Sequence, residues 1–81
     1  MRIDKFLKNS RIIKRRQLAK EACEKGRVFL NGKLAKPSFE VKVNDEIEVV
    51  FGKSNLKVRV LNLLEGSKKA NAEQMYEVIN E

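Results

Sequence analysis

The 81-residue sequence predicts an α+β fold, with two short packed N-terminal helices followed by a small, mostly antiparallel sheet. Three observations support this prediction. Apolar residues recur at helical spacing as far as residue 25, they alternate with a period of two from Arg27 onward, and Asn31-Gly32 is a strong hairpin signal. A chain of this length is expected to form a single domain.

The first predicted helix lies near the start of the chain. Ile3, Phe6 and Leu7 are spaced i, i+3 and i+4, which places them on one helical face. Asp4 favours the start of that helix through its interaction with the helix dipole. Asn9-Ser10 predicts a break, so this helix is expected to be short.

The second predicted helix spans about residues 14–25. Its narrow apolar stripe consists of two adjacent i, i+4 pairs, Leu18 with Ala22 and Ala19 with Cys23. Most of these side chains are small, so the helix is expected to pack closely on its neighbour. Gly26 occupies the position at which a glycine commonly ends a helix.

The remainder of the chain predicts strands separated by turns. Strands are expected at residues 28–30, 34–35, 47–51 and 56–61, and turns at Asn31-Gly32, Pro37-Ser38, Asn44-Asp45 and residues 52–55. Residues 66–71 predict a polar loop, and residues 72–79 fit either a short helix or a strand. Phe6 and Phe51 are expected in the core because both share the apolar periodicity.

Positive charge is concentrated in the first part of the chain. The formal net charge is +7 and the sequence pI is about 9.8. Residues 1–36 contain 12 Lys and Arg against 3 Asp and Glu, a net of +9, whereas residues 37–81 contain 6 against 8, a net of −2. A polyanionic partner explains this asymmetry better than general solubility, which scattered charge would serve equally well.

A basic cluster lies at the predicted start of the second helix. Cations there oppose the positive end of the helix dipole at a cost of about 0.3–1 kcal/mol each, so a helix selected only for stability would carry Asp or Glu. Basic side chains and free N–H groups together form a phosphate cradle, and a solvated charge run is the alternative interpretation. The candidate RNA-binding cations are Arg2, Lys5, Arg11, Lys14, Arg15, Arg16, Lys20 and Lys36. Arginines are the stronger candidates because a guanidinium can fork onto phosphates.

Enzyme signatures are absent from the sequence. It has no histidine, the commonest general base, and no Gly-rich phosphate loop. Cys23 is expected to be a buried structural thiol because it lies on the apolar stripe. Asp45, Glu46 and Glu48 are interpreted as a polar turn and an outer strand face rather than a metal cluster. We therefore expect no catalytic residue, no metal and no cofactor.

The sequence also indicates a cellular compartment. No apolar run approaches the ~20 residues of a membrane span, and residues 1–5 have no signal-like apolar stretch. One cysteine cannot form an internal disulfide. A cytoplasmic protein without a membrane partner is expected.

Several dispersed motifs resemble those of the RNA-binding domain named after small-subunit ribosomal protein S-four, also called the alpha-L motif. They comprise residues 2–7, Ser10-Arg11, residues 14–16, residues 26–28, Asn31-Gly32, residues 36–38 and residues 43–47. The resemblance covers residues 1 to about 50, with a departure at Asn44, where the family often has Gly. Asn tolerates the same turn conformation. We expect residues 1–52 to form the RNA-binding alpha-L domain and residues 53–81 to add a C-terminal strand and tail to the same single domain.

A domain of this length with Met75-Tyr76 near its end is similar to a narrower group, the RqcP-like and heat-shock-protein-fifteen-like ribosome quality-control factors. This resemblance implies binding to obstructed large ribosomal subunits that carry peptidyl-tRNA, with contacts to large-subunit rRNA and to the tRNA. It also implies support for C-terminal alanine tailing by a partner factor. By the same resemblance, Arg2, Asp4 and Arg16 are expected to matter for RNA contact. Asp4 has two alternative roles, starting a helix or orienting a neighbouring arginine.

Two other functions fit the residues. The chain could be an RNA-binding adaptor in rRNA or tRNA maturation. It could also bind an acidic protein or a membrane surface without RNA, although the alanines of the second helix suit a membrane poorly. The first expectation is a cytoplasmic, ribosome-associated monomer.

Overall fold

The computed structural model of the chain describes residues 1–63 and 74–79. Two helices come first, α1 over Ile3–Asn9 and α2 over Arg16–Glu24. Five strands follow: β1 over Val28–Leu30, β2 over Lys33–Leu34, β3 over Glu46–Phe51, β4 over Ser54–Val60 and β5 over Tyr76–Val78. They form one antiparallel sheet in the order β2-β1-β3-β4-β5, so the predicted α+β class is confirmed. The polar loop predicted at residues 66–71 lies outside the described residues.

Helix α1 carries the apolar face that its spacing predicts. Ile3, Phe6 and Leu7 are all fully buried. The helix ends at Asn9, and the next residue, Ser10, donates its backbone N–H to the Phe6 carbonyl at 2.9 Å and its hydroxyl to the Leu7 carbonyl at 3.3 Å. The break predicted at Asn9-Ser10 is therefore confirmed.

Helix α2 is shorter than its sequence pattern predicts. It begins at Arg16 rather than near residue 14, because Arg15 has extended backbone angles, with φ −132° and ψ 143°. Ala19 and Cys23 are buried, and α2 packs on α1 through this side. The predicted stripe is wrong at Leu18, which is 46% exposed. Successive helical residues are rotated by about 100°, so the orientation that buries Ala19 carries Leu18 away from the core.

The β1–β2 hairpin turns at Asn31-Gly32, as predicted. Both residues have positive φ, 51° and 83°, which a two-residue type I′ turn requires. The Asn31 side chain also reaches the segment before β3: its amide nitrogen donates to Asp45 at 3.1 Å, and its oxygen accepts the Glu46 N–H at 2.9 Å. One side chain therefore connects the turn to the next strand.

Strands β3 and β4 form the centre of the sheet. The buried side chains of this pair are Ile47, Val49, Val58 and Val60. Phe51 pairs with Ser54, so the turn between the strands contains only Gly52 and Lys53 and is shorter than predicted. The prediction that Phe51 belongs to the core is wrong, because β3 extends past its last buried residue and leaves this ring 43% exposed.

The ambiguous segment at residues 72–79 contains a strand. Tyr76 lies opposite Val60 and Val78 opposite Val58, so β5 is an edge strand beside β4. Met75, immediately before β5, is fully buried. Met75 therefore adds to the core that the two helices and strands β1, β3 and β4 share.

Candidate nucleic-acid interface

The start of α1 is held by the segment that follows the β1–β2 hairpin. The backbone N–H groups of Ile3 and Asp4 donate to the carbonyls of Phe39 and Pro37, at 2.8 and 3.4 Å. The first N–H groups of a helix have no partner within the helix, so these carbonyls take the place of a side-chain cap.

The backbone of Arg2 is held from the same segment. Arg2 and Glu40 form an isolated antiparallel bridge, and the Val41 N–H donates to the Met1 carbonyl at 2.8 Å. The ammonium of Met1 donates to the Glu40 carboxylate at 2.8 Å, and this hydrogen bond lowers the pKa of Glu40. Contacts on both sides of Arg2 therefore fix the position from which its side chain projects.

A buried carboxylate lies between two arginines. The Asp4 side chain is 3% exposed; it accepts a hydrogen bond from Arg2 Nη2 at 3.2 Å and lies 3.6 Å from Arg16 Nη2. It also accepts the backbone N–H of Lys5 at 2.8 Å. The side chains of Arg2 and Arg16 are 48% and 49% exposed. We call Arg2, Asp4 and Arg16 the arginine cluster.

The arginine cluster carries a net positive charge. Two guanidinium groups share one carboxylate, so its formal charge is +1. A guanidinium has five N–H donors, and the contact with Asp4 leaves most of them directed elsewhere. The geometry fits both roles considered for Asp4, because its carboxylate contacts Arg2 and Arg16 and also accepts the Lys5 N–H in the first turn of α1.

The opening turn of α2 carries no carboxylate. Arg15 precedes the first helical residue and makes no side-chain cap, and the first turn contains no acidic residue. Lys14, Arg15 and Arg16 are all exposed. The positive end of the helix dipole and a run of basic side chains therefore coincide, an arrangement that favours an anion.

The turn between the helices is unusual at Arg11, whose φ is 61°. Few residues other than Gly, Asn and Asp adopt this left-handed conformation. The Arg11 N–H donates to the Lys8 carbonyl at 3.0 Å, and the N–H of the buried Ile13 donates to the Leu7 carbonyl at 3.0 Å. These bonds turn the chain so that α2 can pack on α1.

The structure groups some of the predicted site residues and not others. Arg2, Asp4 and Arg16 form the arginine cluster, Lys5 follows Asp4 on α1, and Lys20 lies about one turn after Arg16 on α2. Within residues 1–63 and 74–79, no ion pair or side-chain hydrogen bond joins the remaining exposed cations to the cluster. Those cations are Lys14, Arg15, Lys20 and Lys36.

The sequence interpretation missed Phe39 and Glu40. Phe39 supplies a carbonyl to α1 and packs against the core, and Glu40 pairs with the Met1 ammonium. The available signal was the alternation of apolar Phe39 and Val41 around Glu40, which is typical of many short extended segments. Nothing in that pattern indicates pairing with the start of α1.

The two cations of strand β4, Lys57 and Arg59, differ from those at the start of α2 because each is paired with a carboxylate. Lys57 Nζ lies 3.6 Å from Glu46 Oε1, and Arg59 donates to Glu77 at 2.9 Å. The ion pairs connect neighbouring strands across the sheet. Uncompensated positive charge in the described part of the chain is therefore concentrated on the helices and their flanking segments.

The cysteine of the chain, Cys23, is buried. Burial raises the pKa of the Cys23 thiol to about 11, with further contributions from the negative charges of Asp4 and Glu24, so its nucleophilic thiolate is disfavoured. Across residues 1–63 and 74–79, no group of three or more His, Cys, Asp or Glu is placed to hold a metal ion. None of the helices in those ranges has the length and apolar character needed to cross a membrane.

Two packed helices with a basic opening turn, set before an antiparallel sheet, define a small RNA-binding domain. The chain belongs to the S4 domain family, which matches residues 1–47. The matched range contains the arginine cluster, the opening of α2 and the 37–41 segment that holds α1.

Relatives and solved structures resemble the chain over nearly its whole length. The RQC P-site tRNA stabilizing factor of Streptococcus pneumoniae is 54% identical over 81 residues, which is 100% of this chain and 92% of that protein. The factor of the same name from Bacillus subtilis is 49% identical, covering 100% of this chain and 94% of that protein. The trimeric structure of Vibrio cholerae Heat Shock Protein 15 has a TM-score of 0.90 and 30% identity, covering 98% of this chain and 81% of that one.

Proposed function

We propose that this chain binds RNA of the large ribosomal subunit together with tRNA, and acts in ribosome-associated quality control. The observation that carries the RNA contact is the arginine cluster beside the uncapped start of α2. The biological setting is supported by relatives named RQC P-site tRNA stabilizing factor, which match this chain from end to end.

In the proposed contact, the basic side chains recognise the shape and charge of an RNA backbone. Arg2 and Arg16 are oriented by Asp4 and would each donate paired N–H groups to phosphate oxygens. Arg15 and Lys14 would add charge where the N–H groups of α2 begin. Base-specific recognition would have a smaller part, because double-stranded RNA is recognised mainly through phosphates, 2′-hydroxyls and shape.

The finer proposal concerns obstructed large subunits. We propose contacts with large-subunit rRNA and with peptidyl-tRNA, and support for C-terminal alanine tailing of stalled chains by a second factor on the same subunit. Residues 1–52 would form the RNA-binding part and residues 53–81 would complete the same domain. The proposed state is a cytoplasmic, non-enzymatic monomer that associates with ribosomes.

Co-sedimentation with purified large subunits tests the RNA contact. Arg16→Ala is expected to weaken binding about tenfold or more with little loss of stability, because the side chain is half exposed. Lys53→Ala is the matched control: it removes the same charge from the exposed β3–β4 turn, and its binding should stay close to wild type. Equal binding by the Arg16 variant and wild type would remove the arginine cluster from the proposal.

A salt series separates phosphate contacts from other attractions. About six phosphate contacts predict a slope of log affinity against log salt near −4 to −5. Lys14→Ala and Arg15→Ala should each reduce the magnitude of the slope by about one. Variants that lower affinity without changing the slope would contradict phosphate contact at those positions.

Crosslinking in cells distinguishes the biological settings. The proposal expects large-subunit rRNA and tRNA to be recovered from stalled complexes. Recovery of precursor rRNA or tRNA from free pools would instead favour an adaptor in RNA maturation. Association with large particles that survives complete RNA digestion would favour a protein-binding role without RNA.

A further inference from the structure

Helix α2 presents two different flanks to solvent. Residues Arg16 and Lys20 lie one turn apart on one flank, and Leu18 and Ala22 lie one turn apart on the other. The core-facing residues of the helix lie between the two flanks. The basic flank belongs to the proposed RNA contact, and the apolar flank has no part in it.

The apolar flank forms one wall of a groove. The opposite wall is the end of β3, and the two enclose about 280 Å³. Leu18 and Phe51 are 46% and 43% exposed, and both line this groove. Burial of this leucine and this phenylalanine would stabilise a fold that has a thin core. Their exposure in the same concave space is typical of an interaction surface.

Charge at the rim indicates the kind of partner. Lys25 and Arg27 are among the lining residues, and neither forms an ion pair within residues 1–63 and 74–79. Glu21 is the single carboxylate among the lining residues. The lining is therefore mainly apolar and carries a net positive charge, which complements an apolar side chain flanked by carboxylates.

The lining favours protein over nucleic acid. Unpaired bases are held by stacking on aromatic or guanidinium planes and by hydrogen bonds to their edges. Here five of the nine lining residues are aliphatic, and Phe51 and the Arg27 guanidinium are the two planar groups among them. A mainly aliphatic lining offers few partners to the polar edges of a base, whereas it accommodates a leucine or phenylalanine anchor.

We propose that this groove docks an acidic protein segment with a bulky apolar anchor, on the flank of α2 opposite the arginine cluster. One helix would then contact RNA on one side and a protein partner on the other. The anchor would cover Leu18 and Phe51, and its flanking carboxylates would pair with Lys25 and Arg27. This proposal does not depend on the identity of the RNA.

A synthetic peptide with a Leu-Phe pair flanked on both sides by Asp and Glu is the probe. Its binding to the full chain would be followed by fluorescence anisotropy, and its position by amide chemical shifts. We expect the shifts at Ala22 and Phe51 and not at Arg16 or Lys20. A control peptide with Ser-Ser in place of Leu-Phe keeps the charge and should bind about tenfold more weakly or worse.

Variants of the chain provide the matched test. Leu18→Ser should abolish peptide binding and leave large-subunit co-sedimentation unchanged, whereas Arg16→Ala should have the reverse effect. Lys25→Glu should weaken binding of the acidic peptide, and the effect should be largest at low salt. Circular dichroism would verify that Leu18→Ser remains folded, as the exposure of that side chain predicts.

Four outcomes would overturn the proposal. The first is that the peptide fails to bind. The second is that both peptides bind equally and shift the basic flank, which would mean charge attraction alone. An oligouridylate that displaces the peptide from the groove would make RNA the occupant. A self-association that Leu18→Ser abolishes would make a second copy the occupant.

Discussion

The Asp4 carboxylate lies 3.6 Å from the Arg16 guanidinium, although the two residues belong to different helices. The contact connects the starts of α1 and α2, and Arg2 shares the same carboxylate at 3.2 Å. The direction of Arg16 therefore depends on how the helices pack, whereas Arg2 contacts Asp4 within the start of α1. A local change in that packing would alter the proposed RNA contact without removing any positive charge.

Asp4→Asn tests whether orientation matters as well as charge. The amide can still accept the Lys5 N–H, but it loses the charge that holds Arg2 and Arg16. We expect about 1–2 kcal/mol lower stability, because both arginines are half exposed and can turn to water, and about tenfold weaker binding to large subunits. Glu77→Gln breaks an exposed ion pair on the sheet and is the control. Wild-type affinity in Asp4→Asn would show that the arginines need no anchor.

Alkaline pH should destabilise the fold through Cys23. Its pKa is raised from the ordinary 9.0 to about 11 in the folded chain, so folding favours the neutral thiol. The resulting stability is fully present below pH 9 and is lost as the pH rises towards 11. Urea unfolding across this range should show the loss in wild type, and Cys23→Ala should lack that component. Identical pH profiles for the two proteins would contradict the buried neutral thiol.

The hydrogen bonds of the Asn31 side chain should contribute to stability in addition to the ability of this residue to adopt positive φ. Asn31→Gly keeps positive φ accessible but loses the bonds to Asp45 and Glu46, so a loss of about 1 kcal/mol is expected. Asn31→Ala loses the same bonds and also strains the backbone, which raises the expected loss to about 2–3 kcal/mol. Urea unfolding of both variants measures the difference. Equal losses would show that the positive φ carries little strain in alanine.

Features with a local cause were predictable from sequence. The Asn31-Gly32 turn and the glycine after α2 follow from which residues tolerate positive φ, and Gly26 has a φ of 73°. The buried face of α1 follows from helical spacing. The basic run before α2 could be recognised because its position opposes the helix dipole.

Features that depend on packing between distant segments were not predictable. Phe51 has the same periodicity as the buried Ile47 and Val49, but β3 extends beyond the buried part of the sheet and Phe51 is exposed. Leu18 has helical apolar spacing, but the rotation of α2 is set by the small pair that packs on α1. The contact between Asp4 and Arg16, and the hydrogen bond from the start of α1 to Phe39, depend on tertiary packing that the sequence pattern does not indicate.

The carbonyls that receive the first N–H groups of α1 come from Pro37 and Phe39. A nascent chain that has reached only residue 36 already has its net charge of +9 but still lacks both carbonyls. During synthesis, the positive charge that attracts RNA is therefore present before the hydrogen bonds that position the start of α1. A fragment ending there should adhere to many RNAs alike, and selectivity should emerge only when the following segment folds back.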